Sequence, residues 1–188
     1  MKTLIINGSP RKNGDTMTII NEMKKYLDGE VEIINTYSDD IHPCVDCRYC
    51  WKNNGCAIKD KMQDVYKMLD EVDNVIISSP IYFSELTGQM LNFASRLQRY
   101  YSYRYIQKNM DFKLKPKKAA IILAGGGDGN HEPAIKSAKI IFKVINAELI
   151  GTVLSLNTNN IPASEDKAAL KKAKEVALAL NQLYSIKD

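Results

Sequence analysis

Four cysteines lie within a stretch of 13 residues, and the chain has no others. They follow the pattern C-x2-C-x2-C-x5-C, and thiolates spaced this closely are typical ligands of an iron–sulfur cluster. Structural zinc more often takes two separated pairs of ligands. Free thiols that shape the loop or do redox chemistry are the third alternative. The spacing therefore favours a [4Fe–4S] cluster and leaves the other two open for Cys44, Cys47, Cys50 and Cys56.

A second candidate site is the glycine-containing loop over residues 8–14, which joins an apolar run to a helical pattern. A helix that begins after such a turn presents free N–H groups and a positive dipole end to an anion. Ser9 and Thr16 add hydroxyl donors, and Arg11 adds a guanidinium suited to a phosphate. Pro10 stands where the dinucleotide-binding fingerprint requires glycine, and the Walker A residues are missing. The loop therefore predicts a monophosphate site.

Two more loops follow predicted strands. In residues 79–85, Pro80 stiffens the exit from the strand, and Tyr82 and Phe83 offer flat apolar surface, although such a pair often serves packing alone. Residues 124–130 contain four glycines, which allow either close approach to a ligand or a mobile turn. His42 and His131 have no reactive serine beside them, so hydrolase chemistry has little support.

The elements that must position these loops alternate along the chain. Short apolar runs without polar alternation, such as Leu4-Ile5-Ile6, predict strands covered on both faces. Strands followed by helices predict an α/β fold with three layers, in which a doubly wound, parallel, five-stranded sheet has the flavodoxin-like order 2-1-3-4-5 or a Rossmann-like variant. Ligands of such sheets bind at the carboxyl ends of the strands. The predicted strands are 2–7, 31–36, 74–79, 118–124 and 149–155.

The helices between the strands show apolar positions at helical spacing, which indicates core packing. Asp60 with Gln63 predicts a helix cap after the cysteine stretch, and lysine-rich residues 113–118 predict a solvated connection. The three stripes are Leu86, Met90, Phe93, Leu97 and Tyr100; Ala134, Ala138, Ile141, Phe142 and Ile145; and Ala173, Val176, Ala177, Leu180 and Tyr184.

These motifs on this strand pattern resemble the NADPH-dependent FMN reductase family of flavodoxin-like proteins. The residues that carry the resemblance are Gly8-Ser9-Pro10-Arg11, Thr16 and the run 79–83. The cysteine stretch is similar to that of the iron–sulfur flavoproteins within that family. The cofactor-binding residues that the resemblance implies are Ser9, Arg11 and Thr16 for the FMN phosphate, Asn13 and Met17 nearby in the same loop and helix start, Pro80, Ile81, Tyr82, Phe83 and Ser84 for the ring, and Gly125 and Gly126 beside it.

The resemblance implies an FMN-dependent oxidoreductase. It would take electrons from NAD(P)H and pass them to a small acceptor, such as a quinone or a flavin, or to an iron–sulfur cluster. No side chain is assigned as an acid or base, because positioning and electrostatics are the protein's part in flavin chemistry. Two alternatives remain: a non-enzymatic electron carrier between protein partners, and a flavin-free interaction module on the same fold.

Composition limits the remaining possibilities. The 188 residues have a formal net charge of +4 and predict one domain over 1–188. The charge is too small and scattered to predict a nucleic-acid partner, and no apolar run is long enough for a membrane span. A short strand at the N-terminus and clustered cysteines predict a cytoplasmic protein. The tyrosine-rich run 100–105, together with the family resemblance, predicts a homodimer or homotetramer.

Overall fold

Five parallel strands form one sheet at the centre of the fold. The structure is a computed structural model and describes residues 1–109, 112–127 and 129–182. The sheet has the order β2-β1-β3-β4-β5, and every pairing is parallel, which confirms the predicted flavodoxin-like order. The predicted strands agree with the observed ones to within two residues at each end. The strands are β1 Lys2–Asn7, β2 Glu30–Asn35, β3 Asn74–Pro80, β4 Lys117–Ala124 and β5 Ala147–Ser155.

Helices cover both faces of this sheet. In the described residues the α-helices are α1 Asp15–Lys24, α2 Met62–Glu71, α3 Gly88–Ser95, α4 Gln98–Tyr101, α5 Glu132–Val144 and α6 Lys167–Leu180. A short 3-10 helix, Tyr49–Trp51, lies in the cysteine stretch, and a π-helix, Ser102–Ile106, continues α4. Helices α1 and α6 pack on one face of the sheet, and α2, α3 and α5 pack on the other. This is the predicted three-layer arrangement.

Apolar side chains on alternate sides of the strands build the two cores. In β1, Leu4 and Ile6 belong to the core under α2, α3 and α5, whereas Ile5 belongs to the core under α1 and α6. All three are completely buried, as a strand covered on both faces requires. The apolar stripes of the helices are also buried, and only Tyr184 lies outside the described residues.

One glycine allows a helix to lie unusually close to the sheet. A Cβ atom built on Gly151 of β5 would lie 2.6 and 2.8 Å from the two γ carbons of Val176 in α6. Distances below 3.0 Å are not tolerated between carbon atoms, so the approach of α6 depends on the missing side chain at this position.

The expectation of a solvated connection over residues 113–118 is wrong at Lys117. This lysine opens β4, is completely buried, and donates from its Nζ to the carbonyl oxygen of Lys115. Burial lowers the pKa of Lys117 to about 8. Two neighbouring lysines also have partners. Lys115 binds the Asp73 carboxylate, and Lys118 donates to carbonyl groups at the end of α6.

Among the described helices, none has the length and apolar character needed to cross a bilayer.

Candidate functional site

The glycine-containing loop connects β1 to α1 and is held by its own backbone and side chains. The N–H of Gly8 donates to the Ser78 carbonyl of the neighbouring strand at 2.7 Å. The Ser9 N–H donates to the Asn7 side chain, and the Arg11 N–H donates to the Ser9 hydroxyl. The loop therefore keeps a defined shape at the carboxyl end of β1.

The start of α1 has the properties of an anion site. Gly14 precedes the helix without a side-chain cap, so its own side chain does not take up the first free N–H groups. The Thr16 hydroxyl is buried in the first turn and has no hydrogen-bond partner among the described residues. A buried hydroxyl without a partner is uncommon and indicates a missing ligand or water.

Arg11 is the cation of this loop, and Asp15 partly satisfies it. The guanidinium lies 3.1 Å from the Asp15 carboxylate, and the Arg11 side chain remains mostly exposed. The other Asp15 oxygen accepts from the N–H of Ala163, beyond β5. A phosphate at this position would therefore share Arg11 with Asp15. Of the remaining predicted residues, Asn13 is exposed in the loop and Met17 is half-buried against the core under α1 and α6.

Thr87 joins the first loop to the second. This completely buried residue caps α3, and its hydroxyl donates to the Gly8 carbonyl at 2.8 Å. Its N–H donates to the Ser79 hydroxyl at the end of β3. A Cβ atom on Gly8 would lie 3.0 Å from both the Thr87 hydroxyl and the end of the Met90 side chain, so a larger residue would have to displace one of them slightly. Thr87 has no signal in the sequence, because its hydroxyl binds the carbonyl of Gly8, which is 79 residues away.

The second loop presents an exposed aromatic ring on a left-handed backbone. Phe83 and Ser84 have φ angles of 52° and 66°, a region that costs energy for residues other than glycine. The Phe83 side chain is fully exposed and that of Tyr82 is half-exposed. The loop is closed by paired backbone hydrogen bonds between Tyr82 and Glu85. The Phe83 ring is therefore accessible for contact with a ligand at this loop.

The glycine-rich loop after β4 is anchored by a segment that follows β5 and carries no binding motif in the sequence. Backbone N–H groups of Asn157, Thr158 and Asn159 donate to the carbonyls of three successive glycines, 127, 125 and 126 respectively. Gly125 packs against Ile81, since a Cβ there would lie 3.3 Å from the Ile81 side chain. The three predicted loops thus lie together at one edge of the sheet, with residues 157–159 as a fourth part.

The four cysteines line one cavity of about 150 Å³ beside α3 and α4. Arg96, Arg99 and Ser102 line the same cavity. The Ser102 hydroxyl lies 3.4 Å from the Cys50 sulfur, and the Ser95 hydroxyl accepts from the Cys44 N–H at 2.9 Å.

A buried ion pair closes the loop that carries the cysteines. Arg96 binds both oxygens of Asp60, at 2.6 and 3.1 Å, and both side chains are almost completely buried. The same guanidinium donates to the carbonyls of His42 and Ile58, on the two sides of the cysteines. Residues 42 and 58–60 are thereby held at one point, and we call the segment between them, residues 43–57, the cysteine loop.

The ion pair also determines the charge of its two members. Burial opposes the ionisation of Asp60, but hydrogen bonds from Arg96 and from the His42 N–H hold the pKa of this carboxyl below its ordinary value. Burial also disfavours the Arg96 cation, yet the Asp60 hydrogen bond and nearby negative groups raise its pKa above the ordinary value. Both groups therefore remain charged at neutral pH.

The prediction that Asp60 and Gln63 together cap α2 is correct for Asp60 and wrong for Gln63. Asp60 accepts from the N–H of Met62 at the start of α2. Gln63 does not return a bond to Asp60; its amide donates to the carbonyls of Cys56 and Ile58. The predicted return hydrogen bond from Gln63 to the start of the cap is therefore wrong, because the Gln63 side chain binds the end of the cysteine loop instead.

The residues fit the two expected groups to different degrees. For FMN, the uncapped start of α1, the unpartnered Thr16 hydroxyl and the exposed Phe83 ring lie at one sheet edge. For a cluster, four free thiols line one cavity, which is the correct donor set. In the part of the chain that the structure describes, however, no three His, Cys, Asp or Glu side chains converge as a bound metal ion requires.

Comparisons with known proteins agree with this fold. The family model for NADPH-dependent FMN reductase matches residues 1–160. An iron–sulfur flavoprotein of Methanocaldococcus jannaschii is 30% identical over 203 residues, which cover 99% of this chain and 96% of the relative.

Two solved structures have the same fold. An NAD(P)H:quinone oxidoreductase from Methanothermobacter marburgensis has a TM-score of 0.73 at 12% identity, with coverage of 98% of this chain and 99% of the other. A flavone reductase has a TM-score of 0.69 at 20% identity; the match covers 96% of this chain and 62% of the flavone reductase.

Proposed function

The chain belongs to the NADPH-dependent FMN reductase family and is an oxidoreductase, and from this premise we propose that it binds FMN where the three loops meet. Bound FMN would accept hydride from a nicotinamide and release electrons to an acceptor. The observation that best supports this FMN site is the buried Thr16 hydroxyl, which lacks a hydrogen-bond partner among the described residues at an uncapped helix start. This arrangement suits the phosphate of FMN.

Within this proposal, each loop has a separate task. Ser9, Thr16 and the first N–H groups of α1 hold the phosphate, and Arg11 balances its charge together with Asp15. Phe83 and Tyr82 cover the ring, while Pro80, Ile81 and Ser84 shape the backbone beneath it. Gly125 and Gly126 present backbone beside the ring, and Ile81 and Asn159 fill the space that side chains at these two positions would need. Thr87 keeps the phosphate loop and the ring loop in a fixed relation.

The direct test is reduction by a nicotinamide. Purified protein is loaded with FMN and mixed anaerobically with NADPH or NADH in a stopped-flow instrument, and the flavin absorbance is followed. Rapid bleaching supports the reductase, and comparison of the two nucleotides identifies the preferred donor. Bound FMN that neither nucleotide reduces would favour the electron carrier. Failure of the protein to bind FMN would contradict both.

We further propose that Cys44, Cys47, Cys50 and Cys56 hold a [4Fe–4S] cluster that takes electrons from reduced FMN. The support is the set of four free thiols around one cavity, and the 30% identity to a protein named as an iron–sulfur flavoprotein. Iron and acid-labile sulfide analysis of anaerobically purified protein tests this. About four irons per chain are expected, whereas flavin without iron would leave a plain flavin reductase with small acceptors such as quinones.

A homo-oligomer and a cytoplasmic location complete the proposal. In the tyrosine-rich run, Tyr100 and Tyr103 are buried, whereas Tyr101 and Tyr105 are exposed beside Ile140 and leave an aromatic surface. Sedimentation velocity at micromolar concentration would give a dimer or tetramer, and a monomer would contradict the proposed homo-oligomer.

The cytoplasmic location is proposed because all four cysteines are free thiols.

A further inference from the structure

The turn that carries the Phe83 ring is one that its own residues do not favour. Phe83 and Ser84 both have left-handed backbones, with φ angles of 52° and 66°, between the paired backbones of Tyr82 and Glu85. Positive φ at both central residues is the property of type I′ turns, which prefer asparagine and glycine. A phenylalanine and a serine keep this conformation only when contacts outside the turn hold it. Those contacts therefore determine where the Phe83 ring lies.

Helix α5 supplies such contacts at two positions about one turn apart. The N–H of Ala134, in the first turn of the helix, donates to the Ser84 carbonyl at 3.1 Å. The Ser137 hydroxyl, on the same face of the helix, donates to the Glu85 carboxylate at 2.8 Å. Ala134 is completely buried, and the contact between Ser137 and Glu85 is partly buried. The turn is thus fixed to α5 by one backbone contact and one side-chain contact.

The Glu85 carboxylate connects α5 to the chain that follows the turn. One of its oxygens accepts from Ser137, and the other accepts from the N–H of Leu86 at 2.7 Å. Leu86 is almost completely buried in the core under α2, α3 and α5, and the next residue, Thr87, caps α3. Hydrogen bonds to a carboxylate are stronger than those between neutral groups. A hydroxyl on α5 therefore orients a carboxylate that fixes the end of the turn.

We propose that Ser137 is a positioning residue of the flavin site, which acts through the Glu85 carboxylate to hold Phe83 and Ser84 in the left-handed conformation that FMN binds. This inference rests on the proposed FMN site, in which the Phe83 ring covers the flavin. Without the Ser137 hydroxyl, the turn relaxes toward the backbone that phenylalanine and serine prefer. FMN then binds a conformation that only a fraction of the molecules adopt, which lowers its apparent affinity.

The test uses four variants of these two residues. Ser137→Ala removes the hydroxyl, and Ser137→Thr keeps one. Glu85→Ala removes the carboxylate, whereas Glu85→Gln keeps both contacts, because its amide oxygen accepts from Leu86 and its amide nitrogen donates to the Ser137 oxygen. FMN affinity is measured by quenching of flavin fluorescence. The visible absorption spectrum of protein saturated with FMN reports on the surroundings of the ring.

Asn181→Ala is the control for a loss of stability alone. Asn181 follows α6 and lies near the amino ends of the strands, away from the three loops. Its side chain donates to the Tyr26 carbonyl and accepts from the Asp28 N–H, so it joins α6 to the chain after α1. This variant should lower the urea midpoint and leave the affinity and the flavin spectrum unchanged. Equal losses of affinity in Asn181→Ala and Ser137→Ala would overturn the inference.

We expect Ser137→Ala to weaken FMN binding about tenfold, which is the size of one hydrogen bond to a charged group. The visible band of bound flavin should shift in the same variant, and Ser137→Thr and Glu85→Gln should stay near the wild type in both measurements. The double variant Glu85→Ala/Ser137→Ala should bind FMN as Glu85→Ala does, because Ser137 acts only through that carboxylate.

Three results would overturn the inference and leave the proposed FMN site standing. The first is wild-type affinity with an unchanged flavin spectrum in Ser137→Ala. The second is a Glu85→Gln protein as weak as Glu85→Ala, because the charge of Glu85 and not its position would then matter. The third is an additive loss in the double variant. Wild-type protein that binds no FMN would overturn the proposed site and this inference together.

Discussion

The Arg96 guanidinium and the Asp60 carboxylate face each other in a bidentate ion pair that solvent does not reach. Arg96 follows α3 and Asp60 precedes α2, so the pair joins two helices on one face of the sheet. It also fixes the carbonyls of His42 and Ile58, which flank the cysteines. The position of the cysteine loop relative to the core therefore depends on two side chains.

Asp60→Asn should destabilise the protein strongly. The substitution leaves the Arg96 cation buried without its partner, and breaking a buried pair in this way costs roughly 3–5 kcal/mol. Urea denaturation at pH 7 measures the free energy of unfolding. Asp64→Asn is the matched control, because Asp64 pairs with Lys61 on the surface, and such a pair contributes about 1 kcal/mol or less. Equal losses in the two variants would contradict the assigned role of Asp60.

The same ion pair predicts the behaviour of the protein in acid. The pKa of Asp60 is lower in the folded protein than in the unfolded chain, so the unfolded state binds a proton first as the pH falls. The stability that ionised Asp60 contributes is complete above the ordinary pKa of a carboxyl group. It is lost as the pH falls through the lower pKa of Asp60 in the folded protein. Urea midpoints between pH 6 and pH 3 should therefore fall more steeply for wild type than for Asp60→Asn.

Thr16→Val should weaken FMN binding without harming the apoprotein. The change keeps the side-chain shape and removes a buried hydroxyl that lacks a partner, so the unfolding free energy should be unchanged or higher. FMN affinity, measured by quenching of flavin fluorescence, should fall about tenfold, or about 1.4 kcal/mol.

Thr18→Val provides the opposite control on the same helix. The Thr18 hydroxyl donates to the Gly14 carbonyl, so its removal should cost some stability and leave FMN affinity nearly unchanged. If Thr16→Val and Thr18→Val had the same effect on affinity, the phosphate site would not be at Thr16.

Substitutions of Phe83 should separate flavin binding from backbone strain. The ring is fully exposed, so Phe83→Ala should change the unfolding free energy by no more than about 0.5 kcal/mol. Phe83→Gly should be more stable than Phe83→Ala, because glycine adopts the observed φ of 52° without strain. Both should bind FMN more weakly, and wild-type affinity in both would remove Phe83 from the proposed site.

Lys117→Met should change how stability depends on pH in mild alkali. The pKa of Lys117 is about 8 in the folded protein and 10.5 ordinarily. Between these values the unfolded chain binds more protons than the folded protein, so stability contributed by this group rises with pH. Urea midpoints at pH 8, 9 and 10 should show a steeper rise for wild type than for Lys117→Met. Parallel profiles would show that Lys117 is solvated.

Local patterns predicted the sheet because burial and chain order are both visible in the sequence. The apolar runs of β1, β3 and β4 mark interior strands, and their order with the helices requires parallel pairing. Edge strand β5 begins at Ala147, two residues before the predicted start, because Glu148 there interrupts the apolar run without preventing pairing with β4. The loops at the carboxyl ends of the strands followed from the same order.

Contacts between distant residues could not be predicted in this way. Arg96 occupies an apolar-face position, three residues after Phe93 and four before Tyr100, and a charged residue at such a position was the available signal of a buried ion pair. Its partner Asp60 has no sequence feature that identifies it. Thr87 and Asn159 also act through backbone groups far away in the chain, whose proximity exists only in the folded sheet.

The closure of the cysteine loop at Arg96 has a consequence for insertions into that loop. Because the guanidinium binds the chain both before and after the cysteines, residues added between them enlarge a loop whose ends are already fixed. Doubling such a loop costs only about 0.6 kcal/mol of closure entropy. Residues inserted between Cys50 and Cys56 should therefore leave the sheet and the loops at the carboxyl ends of its strands unaltered.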